Sequence, residues 1–131
     1  MAINHILGRS FSNDKPNPRY AYIAPTYRQA KAVAWDYLKQ FAGAIPMVRF
    51  HETELRCDLP NGARIQLLGA ENPDSLRGIY LDGVVLDEMA DMPESLFPEI
   101  IRPALSDRKG WACFIGTPRG HNAFYELYMA A

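Results

Sequence analysis

Ser75-Leu76-Arg77-Gly78-Ile79-Tyr80-Leu81-Asp82-Gly83-Val84-Val85-Leu86-Asp87-Glu88 is a polar turn followed by an apolar run that stops on two adjacent carboxylates. A continuous apolar run with no alternation fits a strand buried on both faces, as in a parallel sheet whose faces are covered by helices. Such a strand delivers the residues that follow it to the C-terminal edge of the sheet, where α/β proteins place their ligands. Asp87 and Glu88 are therefore candidate functional residues by position alone.

The flanking sequence supports the same architecture. Downstream, Trp111-Ala112-Cys113-Phe114-Ile115 is a second fully apolar strand, closed by the sharp loop Gly116-Thr117-Pro118-Arg119-Gly120. Between the two strands, Pro93 suits the first turn of a helix running to about Leu105. Upstream, Arg19-Tyr20-Ala21-Tyr22-Ile23-Ala24 reads as a strand rich in β-formers, and Thr26 as the N-cap of a helix to about Ala42. On that helix Ala30, Val33, Ala34, Tyr37, Leu38 and Phe41 fall on one stripe, the predicted buried face. Glu54–Asp58 and Arg64–Leu68 alternate about Asn61-Gly62, the signature of an antiparallel hairpin. Met1–Leu7 has the spacing of a helix end, Phe11–Pro18 is a loop, and His121–Met129 is expected to form a last helix. The order of elements predicts an α/β fold: a mostly parallel sheet flanked by helices, with an inserted β-hairpin around residues 54–68.

Composition sets the outer bounds. A chain of 131 residues, 48% hydrophobic and 22% charged, is one ordinary globular domain. Its net charge of −1 carries no whole-chain signature of nucleic-acid binding, so any such contact needs a local patch. Cys57 and Cys113 form no CxxC, which argues against a zinc site or a disulfide framework and for two core thiols in a reducing compartment. His5, His51 and His121 are dispersed and carry no role. No run approaches the roughly 20 apolar residues of a membrane span, and the expected location is the cytoplasm.

Two acids at a strand end suit nucleotide hydrolysis, because one carboxylate holds Mg²⁺ through its water shell and the next polarises the attacking water. Asp87 takes the first role on this reading and Glu88 the second. A metal nuclease built from Asp82, Asp87, Glu88 and Asp91 is weaker, since Asp82 lies at the opposite end of the strand from Asp87.

Four stretches together, Arg19 to Lys31, Ser75-Leu76-Arg77-Gly78, Gly83 to Glu88 and Gly116 to Gly120, resemble the ATPase domain of the large terminase subunit of tailed bacteriophages, in that order and spacing. The resemblance covers residues 19 to about 128. It implies a P-loop NTPase-like core in which Asp87 and Glu88 are the Walker B pair, metal-holding acid and catalytic base. It makes Gly116, Thr117 and Pro118 the coupling motif that senses the γ-phosphate, and Arg77 an arginine that in some terminases reaches a neighbouring subunit's site, with a salt bridge to Asp74 or Asp82 as the plainer alternative. Tyr27, Arg28 and Lys31 match a segment near nucleotide or DNA, with the solvated face of a capped helix as the plainer alternative. The family's cofactors are Mg²⁺ and ATP. Its partners are double-stranded DNA, the small terminase subunit, the portal and further copies of itself, and its work is packaging viral DNA.

The chain departs from the family pattern in having no G-x-x-x-x-G-K-[ST] loop; Gly8-Arg9-Ser10 is its nearest imitation. The chain accordingly reads as a partial ATPase domain over 1–131, beginning downstream of that loop, without the nuclease domain, and with an incomplete core. By itself it is expected to bind Mg-ATP poorly if at all and to turn over no ATP. Loss of the strand that bears the loop predicts that Trp111–Ile115 forms an open apolar edge through which copies self-associate. A helicase fragment and a non-catalytic α/β interaction module are the alternatives; Gly116-Thr117-Pro118 favours the terminase over a helicase, which would place a Ser-Ala-Thr-like motif there.

Overall fold

The computed structural model describes residues 16–116 and 124–129, the last six as strand backbone with side chains from Leu127 onward. A seven-stranded sheet runs in the order β2-β3-β4-β1-β5-β6-β7. The strands are β1 (Arg19–Ala24), β2 (Arg49–His51), β3 (Arg56–Asp58), β4 (Arg64–Gly69), β5 (Gly83–Asp87), β6 (Trp111–Gly116) and β7 (Phe124–Met129). The four central strands β4, β1, β5 and β6 are mutually parallel. The predicted mostly parallel α/β sheet is therefore present.

Among the described residues, one long helical segment covers each face. Helix α1 spans residues 27–42, with a π-helical turn at Lys31–Trp35 between its α-helical ends. Thr26 caps it as expected, in extended conformation with its hydroxyl accepting the Gln29 N–H at 3.1 Å. Helix α2 spans residues 97–106 and connects β5 to β6, completing a βαβ unit; Pro93 lies in the turn before it. Tyr20, Tyr22, Ile65, Leu67 and Val85 pack under α1, while Ala21, Ile23, Val84, Leu86 and Ala112 pack under α2. Alternate residues of β1 and β5 thus serve opposite cores, which is why these strands read as continuous apolar runs.

The hairpin is present as β3 and β4, paired Arg56↔Gln66 to Asp58↔Arg64. Gly62 supplies its positive φ of 89°. A third strand, β2, joins β3, and its three residues are too few to show alternation in sequence.

Three expectations are corrected. Residues Phe124–Met129 form a strand, not the end of a helix, and pair antiparallel with β6 from Trp111↔Met129 to Gly116↔Phe124. Phe-Tyr-Glu-Leu-Tyr-Met is rich in β-formers, and β6 offers it an unpaired row of backbone donors and acceptors. In consequence Trp111–Gly116 is not an open edge; among the described residues the outermost strand on that side is β7, so self-association through the β6 edge loses its physical basis. On α1 the predicted stripe is split: Ala30, Ala34 and Leu38 are buried with Trp35 and Ala42, whereas Val33, Tyr37 and Phe41 are 46%, 46% and 38% exposed. The apolar arc is wider than the face the sheet covers. Small Ala30, Ala34 and Ala42 allow close approach, and Trp35 is drawn in by its Nε1–H bond to Glu52 (2.6 Å) and its edge contact with Phe50.

Cys57 is buried and Cys113 half-buried, both as free thiols. Burial, with the Asp58 charge beside it, pushes the Cys57 thiol up to about 12, and burial raises Cys113 as well. Among the described residues no helix is long and apolar enough to cross a membrane. The predicted Met1–Leu7 helix lies outside the described residues.

Candidate functional site at the carboxyl edge of the sheet

The central strands are parallel, so their C-terminal ends gather on one edge: Ala24 of β1, Gly69 of β4, Asp87 of β5 and Gly116 of β6. The N-terminus of α1 lies at the same edge. The Tyr27 N–H donates to Glu71 Oε1 at 2.7 Å, and a Cβ on Gly69 would sit 2.2 Å from that nitrogen, so only glycine fits there.

Asp87 and Glu88 stand at the centre of this edge. Asp87 closes β5 and is half-buried. The Tyr22 hydroxyl of the neighbouring strand donates to Asp87 Oδ2. Burial first, and then the facing Asp87 carboxylate, push the Tyr22 phenol far above its ordinary range. Glu88 is in the left-handed region at φ 58°, ψ 52°, and its N–H donates to the Ile115 carbonyl at 2.8 Å. A non-glycine residue in that conformation stores a small strain, and such strain concentrates at functional positions. The bond to β6 holds the turn, and the chain then continues as the single helical turn Met89–Asp91. Two adjacent carboxylates are thus presented by different means, one at a strand end and one on a strained turn.

The remaining candidates divide. Gly116 ends β6 beside Asp87, consistent with the edge position expected of it, while Thr117 and Pro118 lie outside the described residues. Tyr27 begins α1 at this edge, but its hydroxyl donates to the Thr53 carbonyl at 2.9 Å, leaving the ring half-exposed for contact. Arg28 and Lys31 are exposed on α1. Arg77 is not brought to the acid pair: it is exposed, with Nε 2.9 Å from Asp74 Oδ1 and Nη2 4.0 Å from Glu99. Gly78 beside it has φ 83° and open space around it. An exposed pair of this kind holds a side chain weakly, at about 0–1 kcal/mol, so Arg77 is free to leave it for a stronger anion.

Asp82 is excluded from the site. Its carboxylate is 1% exposed, accepts the Arg19 N–H at 2.8 Å and is gripped by Arg108 Nε at 3.1 Å and Nη2 at 3.3 Å. The nuclease reading, which needed Asp82 beside Asp87, therefore fails. Sequence reasoning missed Tyr22 as a site residue, because a tyrosine in a buried strand is an ordinary β-former and its hydroxyl's partner is invisible in the chain. It also missed Glu88's left-handed backbone, for which glutamate carries no signal.

Comparison with known proteins matches residues 4–131 to the family model described as terminase large subunit, T4likevirus-type, N-terminal. The large terminase subunit of Thermus virus P23-45 is 34% identical over 134 residues, which cover 88% of this chain and 28% of that protein. That of Escherichia phage T5 is 30% identical over 118 residues, covering 87% and 27%. The large terminase ATPase domain of Thermus phage P74-26 superposes with a TM-score of 0.68 at 32% identity, over 92% of this chain and 53% of that one. The large terminase of another thermophilic bacteriophage, solved in complex with ADP, shares the fold with a TM-score of 0.66 at 19% identity, over 87% of this chain and 28% of that one. The chain spans between a quarter and a third of the length of the curated relatives it matches.

Proposed function

This chain belongs to the family of phage terminase large subunits, and we propose that residues 1–131 are part of its ATPase domain, with Asp87 and Glu88 as the Walker B acids. The observation that carries the reading is the pair itself: two carboxylates at the C-terminal end of a central parallel strand, with the α1 N-terminus and the end of β6 on the same edge. The activity proposed is ATP hydrolysis coupled to movement of double-stranded DNA in the host cytoplasm. Its partners would be the small subunit, the portal and further copies of the large subunit.

The donor set suits Mg²⁺ arriving with phosphates. Among the described residues no cluster of three or more His, Cys, Asp or Glu side chains makes a cage of its own. A single strand-end carboxylate is what a Mg²⁺ that keeps several waters and takes phosphate oxygens requires. Asp87 would hold it. When bound, Mg²⁺ would neutralise charge building on the phosphate oxygens. Glu88 would accept a proton from the attacking water, its turn fixed by the bond to Ile115. Gly116 would follow the γ-phosphate from the end of the adjacent strand, with Thr117 and Pro118 as the other members of the coupling motif, and Arg77, tethered only by exposed acids, would act across a subunit boundary. Tyr27, Arg28 and Lys31 would offer a half-exposed ring and two cations to phosphate or nucleic acid from the same edge.

Phosphate binding is the missing component, since these residues contain no glycine-rich lysine loop. The 131-residue chain alone is therefore expected to show no ATP turnover. In a large subunit carrying these residues, Glu88→Gln should lower kcat by about 10²-fold or more while nucleotide binding persists, and Asp87→Asn should weaken Mg-nucleotide binding as well. A Glu88→Gln enzyme that keeps its rate would refute the assignment.

A further inference from the structure

We infer that Tyr22 is the positioning residue of the acid pair: its buried hydroxyl grips one oxygen of Asp87, fixing the carboxylate's rotamer and leaving the second oxygen for a metal-bound water. This rests on the reading that Asp87 holds the metal.

The geometry follows from register. β1 and β5 pair in parallel with Tyr22 opposite Val85, so Asp87 lies two residues beyond Tyr22 on the neighbouring strand and on the same face of the sheet. Two residues of strand span about 6.6 Å. A tyrosine leaning along the strand crosses that offset and a serine or threonine does not, so the hydroxyl arrives at Oδ2.

The surroundings explain why the residue is not phenylalanine. Tyr22 is 2% exposed among Ala34, Leu67 and Val85, an apolar setting in which a ring alone would pack equally well. A buried hydroxyl without a partner costs about 1–3 kcal/mol, so tyrosine is favoured here only because Asp87 accepts from it. Among the described residues Tyr22 supplies the one side-chain hydrogen bond to Asp87. Without it the carboxylate at the end of β5 is free to rotate about χ1. A metal ligand loses roughly 10–100-fold in affinity when its supporting hydrogen bond is removed. Tyr20, on the same strand and the same face, is equally buried but lies against Trp111 at the other end of the sheet, with ring centroids 6.3 Å apart. It is a built-in control.

The test uses the 131-residue chain with Mn²⁺ alone as a paramagnetic probe, read by NMR line broadening, together with scalar couplings that report the Asp87 χ1 rotamer in the absence of metal. The expected results are a single Asp87 rotamer and broadening centred on Val85–Glu88 that Asp87→Asn abolishes. Tyr22→Phe should average the rotamer and weaken Mn²⁺ binding about 10-fold, with broadening patterns elsewhere and Tm little changed; Tyr20→Phe should leave both readouts as they were. Localised broadening that Tyr22→Phe leaves unchanged would overturn the role of Tyr22 alone. Absence of broadening at Asp87 in the wild-type chain would instead refute Asp87 as the metal carboxylate. The wild-type couplings need no variant: an Asp87 side chain already averaged among rotamers overturns the proposal even if Tyr22→Phe fails to fold.

Discussion

Strand β5 is bracketed by two aspartates about five residues, or roughly 16 Å, apart, and the fold treats them oppositely. Asp82, before the strand, is buried and accepts from the Arg19 amide and twice from Arg108. Its own backbone ties β1 to β6, through Asp82 N–H to Arg19 O at 2.7 Å and Trp111 N–H to Asp82 O at 3.1 Å. Arg108 is itself held by the Pro16 carbonyl and lies 4.9 Å from the Tyr80 ring centroid. Asp87, at the strand's end, is half-buried and accepts from the Tyr22 phenol. The difference separates a fastening from a site: a carboxylate whose lone pairs are already taken cannot receive a ligand, and one left under-coordinated at a sheet edge can.

Removing each acid in turn separates the two roles most directly. Asp82→Ala removes the carboxylate that faces the largely buried Arg108 guanidinium and the Arg19 amide, and should cost about 3 kcal/mol, lowering Tm by roughly 10 °C in thermal unfolding. An Asp82→Ala chain as stable as wild type would show that the N-terminal end of the sheet is not fastened there. Thr26→Ala removes the cap of α1 at the site end and should cost about 1 kcal/mol by urea titration, so the site edge is not free of structural duty.

Asp58 on the hairpin lies between the two extremes, partly exposed and accepting from Arg64 Nε at 2.8 Å, with His51 at 3.1 Å and Arg56 at 3.6 Å. Burial acts to raise its carboxyl, but Arg64, Arg56 and His51 outweigh it and hold the group below the ordinary carboxylate range. A depressed folded value means that its contribution is complete above the unfolded value of about 3.9 and is lost as pH falls through the lower folded one. Asp58→Asn should therefore lower Tm modestly, by about 1–2 °C, at a pH of about 7 and have little effect by a pH of about 2, as read from Tm against pH. The smallest effect belongs to Asp87→Asn, expected within about 0.5 kcal/mol of wild type in the same unfolding assay, because relief of a solvent-edge charge offsets the weakened phenol bond. A loss comparable to that of Asp82→Ala would make Asp87 a second fastening and remove the contrast.

Much of the fold could be read from the chain because the relevant signals are local. The apolar runs of β1, β5 and β6, the Asn61-Gly62 turn and the Thr26 cap each state their structure within a few residues. The failures came where a segment's fate depends on what it meets. Residues 124–129 show a helical spacing as well as β-forming composition, and only the vacant edge of β6 selects the strand. Val33, Tyr37 and Phe41 share an apolar arc with Ala34 and Leu38, and only the width of the sheet beneath decides which are covered. The exposed Tyr37 and Phe41 rings then stack on each other, 6.1 Å apart and nearly parallel.

By itself the sequence determined the strand that ends in Asp87-Glu88, the parallel α/β class and the family, since each rests on residue types at fixed spacing along one stretch of chain. Only the tertiary structure decided which aspartate is a fastening and which is a site, because that depends on donors distant in the chain and brought alongside by strand pairing. The Arg19 amide and Arg108 converge on Asp82, and the Tyr22 hydroxyl on Asp87, through the register of β1 against β5 and the crossover through α2. Lone-pair occupancy is set across strands, where the chain's own order says nothing.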